Sequence, residues 1–234
     1  MNISHHVLVL CFMASAYANA QTYVTDFEST ENPVCENGKW NNGAIVGLDW
    51  TNVRTFGGIA CGTQTGTDTG AYKYNDSYAI LSGFPPNQMV EAVVHIANPS
   101  DSCNQEVELL LRWTPTGHIA TGYECLARSL DSPNSYIEIV RWNGTLGDFS
   151  YIARLHSPSA GIRDGDTLRA TIIGNQITFF VNGVIKLKCN DNTYSIGNPG
   201  IGFFLYGCVG TNTDFGFTRF AATGQPSVVK ANDR

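Results

Sequence analysis

Residues 165–184 read GDTLRATIIGNQITFFVNGV, and this stretch decides the fold. Leu168, Ala170 and Ile172 alternate with Arg169 and Thr171 until Gly174-Asn175 interrupts the run. Ile177, Phe179 and Val181 recur at every second position, with Thr178 between the first two, until Asn182-Gly183 interrupts the run again. Apolar residues at every second position turn one face of a strand to a core, and Gly/Asn pairs supply the positive φ of tight hairpin turns. A helix would need apolar residues three and four apart, and the Thr, Ile, Val and Phe content favours extended backbone. Read outward in the same way, the chain predicts strands near 22–28, 43–48, 71–74, 77–82, 89–96, 106–113, 120–128, 136–142, 149–155, 167–173, 176–182, 184–188, 200–207 and 214–222. The connections are rich in Gly, Asn, Asp, Ser and Pro. The longest, TFGGIACGTQTGTDTG at 55–70, reads as a surface loop held in part by Cys61.

The first 20 residues, MNISHHVLVLCFMASAYANA, combine a short polar start, an apolar run from Val7 and a small-residue Ala18-Asn19-Ala20 end. This is the pattern of a secretory signal peptide, with residues 21–224 as one domain and 225–234 as a frayed tail. No later apolar run reaches the roughly 20 residues of a membrane-spanning helix. Cys35, Cys61, Cys103, Cys125, Cys189 and Cys208 remain after cleavage, an even set for an oxidising compartment. Many pairings are open. Sequential pairing is preferred, because Cys189 and Cys208 lie symmetrically about Asn198-Pro199, which leaves Cys35–Cys61 and Cys103–Cys125; a buried free thiol at Cys125 is the alternative.

Twenty acidic residues against 14 basic ones argue against a nucleic-acid partner, which needs a cationic field. Between residues 74 and 185 there is no Lys but there are six Arg, interleaved with Glu106, Glu108, Glu124 and Glu138. Arginine's planar fork suits carboxylates, either those of neighbouring strands or those of an acidic ligand.

The opening TDFEST, the middle PPNQMVEAVVHI, the hairpin at 165–184, GNPGIGFFLYG and the closing TDFGFTRFAATG together resemble the concanavalin A-like lectin/glucanase superfamily, especially its secreted bacterial laminin-G-like members. The resemblance spans nearly all of the mature chain and is most specific from Gly165 to Ala222. It implies an all-β fold, a jelly-roll sandwich of two curved antiparallel sheets, with first and last strands adjacent and a concave face that often holds carbohydrate. The architecture hosts lectins, hydrolases, lyases and adhesive modules alike, so function must come from the site.

Parity along the central strands puts His95, Glu106, Glu108, Arg112, Glu124, Arg128, Glu138 and Trp142 on one sheet surface, a floor with the hydrogen-bonding and aromatic groups a saccharide needs. An ordinary solvated sheet face is the plain alternative. Laminarinase-like glucanases of the superfamily carry Glu-x-Asp-x-(x)-Glu on one strand. Glu106 and Glu108 match its first two places, but Leu110 and Leu111 stand where the acid would be, which argues against that mechanism. A lyase acting on a uronate-containing glycan would need a neutralising cation, a base and a proton donor, for which Arg112, His95 and Tyr123 or Tyr206 are candidates. The alginate-lyase signatures of the superfamily are absent. Asp26 and Asp214, near the ends of the first and last strands, occupy places where several superfamily members hold a structural calcium, although calcium wants six to eight oxygens. The reading is therefore a secreted, non-catalytic glycan-binding domain whose partner is an extracellular poly- or oligosaccharide. It requires no cofactor; a structural calcium is the one ion implied. The alternatives are a polysaccharide lyase, ahead of a glycoside hydrolase, and an adhesive module that binds no sugar.

Overall fold

The computed structural model describes residues 20–67, 76–156 and 158–225. The signal-peptide reading falls on residues 1–19, outside the described residues except for Ala20, as do the strand expected at 71–74 and the tail beyond Gln225. The chain runs β1 (Gln21–Thr25), β2 (Asn41–Asn42), a one-turn helix α1 (Gly43–Val46), β3 (Val53–Phe56), β4 (Ile59–Gly62), β5 (Asp76–Ile80), β6 (Asn87–Ile96), β7 (Asn104–Thr116), β8 (Ile119–Arg128), β9 (Tyr136–Gly144), β10 (Phe149–His156), β11 (Thr167–Ile173), β12 (Gln176–Val181), β13 (Val184–Asn190), β14 (Asn198–Tyr206) and β15 (Phe215–Gln225).

Two antiparallel sheets result. The first has the order β13-β12-β11-β6-β15-β4-β3, with β1 also on β15; the second is β10-β9-β8-β7-β14-β5-β2. The hairpin that opened the sequence reading forms as expected, Leu168 facing Val181 and Ile172 facing Ile177. First and last strands are adjacent, Gln21 opposite Gly224. Between the sheets lies the main core, to which the alternating residues Val90, Ala92 and Val94, Val107, Leu109 and Leu111, and Ile137 and Ile139 all contribute. The fold is an all-β jelly-roll sandwich.

Three local expectations are corrected. The strand expected at 43–48 is helix α1 and a turn, because the chain folds back tightly on Trp50: a Cβ at Gly43 would lie 2.7 Å from that of Trp50 and 2.4 Å from the Thr51 carbonyl oxygen. The loop expected at 55–70 begins as a hairpin, with Arg54 opposite the buried Cys61. The sequential disulfides are not formed. Cys103 pairs with Cys208, while Cys35, Cys61, Cys125 and Cys189 are free thiols. The return after β13 crosses to the other sheet, so Cys189 and Cys208 never face each other. Asn104 pairs instead with Tyr206, which brings the residues just beyond those strand ends together.

Candidate functional site

The outer face of the second sheet carries its own buried cluster. At one end Trp50, Tyr78, Trp113 and Trp142 pack edge to face, with ring centroids 5.6 to 5.9 Å apart. Trp50 reaches it from the loop after α1, closing that end. Toward the other end opens a cleft of about 330 Å³ with acids in its floor and aromatic rings around it, among them Tyr136, Phe149, Tyr151, Phe204 and Tyr206.

Strand register places each acid. Glu106 and Glu108 alternate with the core residues Val107 and Leu109 on β7; Glu124 and Arg128 do so on β8, and Tyr136 and Glu138 on β9. Asp76 joins them from β5. All five acids are nearly buried, Glu108 being 2% exposed and Asp76 8%. Burial lifts the Glu106 carboxyl to about 7, against the opposing pull of a hydrogen bond with the Tyr136 hydroxyl. Burial lifts Glu124 to about 8, although the Trp142 indole donates to it at 2.7 Å and favours its charged form. Asp76 and Glu108 are raised well above the carboxylate range by burial and then by the neighbouring acids. Carboxyls so close, so dry and so short of cations cannot all ionise at neutral pH. Glu138 is in contact with Arg154 at 2.9 Å and His156 at 2.5 Å. The Arg154 guanidinium also lies 3.8 Å over the Tyr151 ring.

Of the eight residues expected on one face, six share the outer face of this sheet, Glu106, Glu108, Glu124, Arg128, Glu138 and Trp142, and four of them, Glu106, Glu124, Glu138 and Trp142, line the cleft. His95 and Arg112 lie off this face. His95 is on β6 in the other sheet, where its Nδ1 lies 3.5 Å from Asp164. Arg112 is turned inward by a β-bulge: between the pairs Leu111–Tyr123 and Thr114–Thr121, two residues of β7 oppose Gly122 alone, and Arg112 takes φ +48°. Trp113 thereby reaches the cleft face in its place. The Arg112 guanidinium donates to the carbonyls of Pro86, Tyr194 and Gly174 at 2.7 to 2.9 Å, a bracket for three loops rather than a ligand contact. Tyr123 points into the sandwich and donates to Asp191 at 2.7 Å. Tyr206 alone of the four lyase candidates lines the cleft, so that set is not assembled.

Asp26 and Asp214 are likewise apart. Asp26 is paired with Arg219 at 2.6 Å, and Asp214 accepts from Asn98 at 3.0 Å. The calcium ligands implied by the resemblance are not brought together, and among the described residues no group of three or more His, Cys, Asp or Glu is arranged to hold a metal ion. Sequence reasoning missed Asp76, Arg154 and His156 as site residues. Parity along FSYIARLH would have found the last two, since Arg154 and His156 alternate on β10.

No family model and no curated protein matches the chain. Solved structures do. A carbohydrate-binding module from Bacillus subtilis is similar over 81% of this chain and 94% of its own, with TM-score 0.52 and 14% identity. The carbohydrate recognition domain of Emp46p, in a potassium-bound form, matches at TM-score 0.51 and 12% identity, covering 86% of this chain and 98% of that one. A native glycosidic hydrolase matches at TM-score 0.53 and 14% identity, covering 89% and 97%. The chain shares with these structures the fold of a jelly-roll β-sandwich. At these identities the likeness shows architecture, and the chemistry rests on the cleft.

Proposed function

We propose that the cleft on the second sheet binds a saccharide chain outside the cell, in a protein exported by its first 20 residues. The observation that carries this reading is the composition of the cleft: hydrogen-bonding carboxyls in the floor with Tyr136, Phe149, Tyr151 and Phe204 around them. Sugars present flat C–H faces edged with hydroxyls, so they bind where aromatic faces and polar side chains alternate. Protonated carboxyls suit this task, because each offers both a donor and an acceptor. Two further observations support the reading. Similar folds include a carbohydrate-binding module and a carbohydrate recognition domain. The Cys103–Cys208 bridge fits an oxidising compartment, and no helix among the described residues is long and apolar enough to cross a membrane. The test is retention of the purified chain on a panel of neutral, acidic and amine-bearing polysaccharides. Retention on none of them overturns the proposal.

A second reading, glycoside hydrolysis, is favoured by the contrast between Glu106 and Glu138. The first is a carboxyl raised to about 7, able to give a proton to a glycosidic oxygen. The second is held by Arg154 and His156 and is fit to attack the anomeric carbon or to take a proton from water. This places the hydrolase ahead of the lyase, reversing the order expected from sequence. In this reading the second carboxyl comes not from β7, where Leu110 and Leu111 stand, but from Glu138 on β9. Release of reducing ends that Glu106→Gln abolishes, with retention intact, would establish it; absorbance of unsaturated uronates would instead favour the lyase.

A further inference from the structure

Among the described residues, the acids on this face outnumber the cations paired with them, and the surplus is concentrated in one place. Arg154 and His156 are both directed at Glu138. Arg128 gives its terminal N–H groups to the carbonyls of Ser100, Asp101, Cys103 and Asn134. Asp76, Glu106, Glu108 and Glu124 take part in no ion pair among the described residues.

Two of these four flank one aromatic ring, and a third stands two residues along the same face of β7. Strand β14 sets Phe204 opposite Asp76 on one side and opposite Glu106 on the other, and all three line the cleft. One step along β7, Glu108 faces Gly202 and leans into the space that residue leaves: a Cβ there would lie 2.1 Å from the Glu108 Oε2. The other oxygen, Oε1, is buried and has no hydrogen-bond partner. Tyr206 lies nearly parallel to Phe204, 9° between planes and 6.2 Å between centroids. A ring face attracts a cation through its quadrupole, flanking carboxyls attract it by charge, and a buried acceptor without a partner calls for a donor. A sugar hydroxyl would meet only the last of these demands. An ammonium group meets all three.

We propose that Asp76, Glu106, Glu108 and Phe204 form a subsite for the ammonium group of an amine-bearing saccharide, such as a glucosamine unit. This rests on the saccharide reading of the cleft and names its ligand class. In the free protein, protons hold the carboxyls neutral; a bound ammonium takes over that role, so binding expels protons.

The experiment is isothermal titration calorimetry of the whole chain with a glucosamine oligomer and its N-acetylated counterpart, which differ only at the amine. It is run at about pH 6, with the sugar amine protonated, in two buffers of different ionisation enthalpy so that released protons are counted. The amine form is expected to bind about tenfold tighter or more, with net proton release. Glu106→Gln and Glu108→Gln, each checked by melting temperature, should erase that preference, so that the amine and N-acetyl forms bind alike and proton release is lost. The comparison of the two ligands on the wild-type chain stands even if a variant fails to fold. Equal affinity for both ligands, or preference for the N-acetylated or a uronate oligomer, overturns the ammonium subsite and leaves saccharide binding standing. Absence of binding to every oligomer overturns both.

Discussion

On the outer face of the first sheet Glu91 and Arg169 meet across β6 and β11 at 2.6 Å, with side chains 35% and 40% exposed. On the outer face of the second sheet Glu106 and Glu108 stand on one strand, no more than 8% exposed and without an ion-pair partner. Both faces begin as the same alternation of glutamate with aliphatic residues. What separates them is what the facing arginine does. Arg169, opposite Glu91, closes an ion pair with it, whereas Arg128, opposite Glu106, donates to four backbone carbonyls, and Glu108 faces Leu126 and Gly202. A screened, paired charge keeps a surface soluble, while a dry cluster of acids works against the fold unless protons or a ligand neutralise it. The second arrangement is the one we propose as a site.

The largest effect expected is on the bridge that fastens the acidic end of the second sheet. Cys103 and Cys208 are 105 residues apart in sequence, and closing so long a loop restricts the unfolded chain by about 4–5 kcal/mol. Cys208→Ser should lower the melting temperature by many degrees, with hydrogen exchange rising first at β7 and β14 rather than at β11 and β12. Thiol titration of the unfolded wild type from Cys35 onward should find four reactive groups, the free cysteines of the structure. Finding none would restore the three bridges expected from sequence.

Next comes the pH dependence, which the two faces should show in opposite degree. Glu106 rises from an ordinary 4.5 to about 7 on folding, and Glu124 from 4.5 to about 8. Above pH 4.5 the unfolded chain loses protons that the folded chain keeps, so ionisation favours unfolding and stability falls until the folded groups also titrate. Stability is therefore fullest below about 4.5 and declines toward pH 8. Glu106 alone contributes a loss of roughly 3 kcal/mol. Denaturation midpoints measured across this range should fall, and Glu106→Gln should flatten the slope. A profile as steep in Glu106→Gln as in the wild type would show that this carboxyl titrates normally.

Gly202→Ala should act on the same cluster more gently. The added methyl displaces the Glu108 carboxyl and meets the Ser77 carbonyl oxygen at 3.0 Å, a strain of about 1–3 kcal/mol. It should weaken the ligand that uses Glu108 more than it lowers stability. The reverse would make Gly202 a packing residue only.

How much of this was legible from the residues depends on whether alternation continued unbroken. Glu106, Glu108, Glu124, Glu138 and Trp142 lie on strands of regular period, and parity placed them on one face correctly. Arg112 failed because one extra residue at the bulge opposite Gly122 reverses every side chain beyond Leu111, and nothing in LLLRWTP announces it. His95 failed for a different reason: parity assigns a residue to a face of its own strand, not to one of two sheets, and β6 belongs to the other sheet. Asp76 was hidden because its role depends on β5 lying beside β14, a pairing across more than a hundred residues that no local pattern records. The disulfide was missed on the same ground, since its partners are neighbours only through the pairing of β7 with β14.

The smallest effect expected is at the pair that sets the comparison. Glu91→Gln removes one charge from an exposed contact with Arg169, and such pairs contribute about 0.2–1 kcal/mol because water screens them and two flexible side chains must be held in place. Arg169 also lies 5.9 Å from the Phe180 ring, so its stem and guanidinium keep a packing surface when Glu91 is neutralised. The variant should melt within a degree or two of the wild type, keep the wild-type slope of stability against pH, and bind saccharide unchanged. Glu106→Gln, the same chemical change on the second sheet, is expected to alter both slope and ligand preference. If the two variants behave alike, both weak or both strong, the presence of an ion-pair partner does not distinguish the two faces, and the acids of the cleft are no more than a solvated surface.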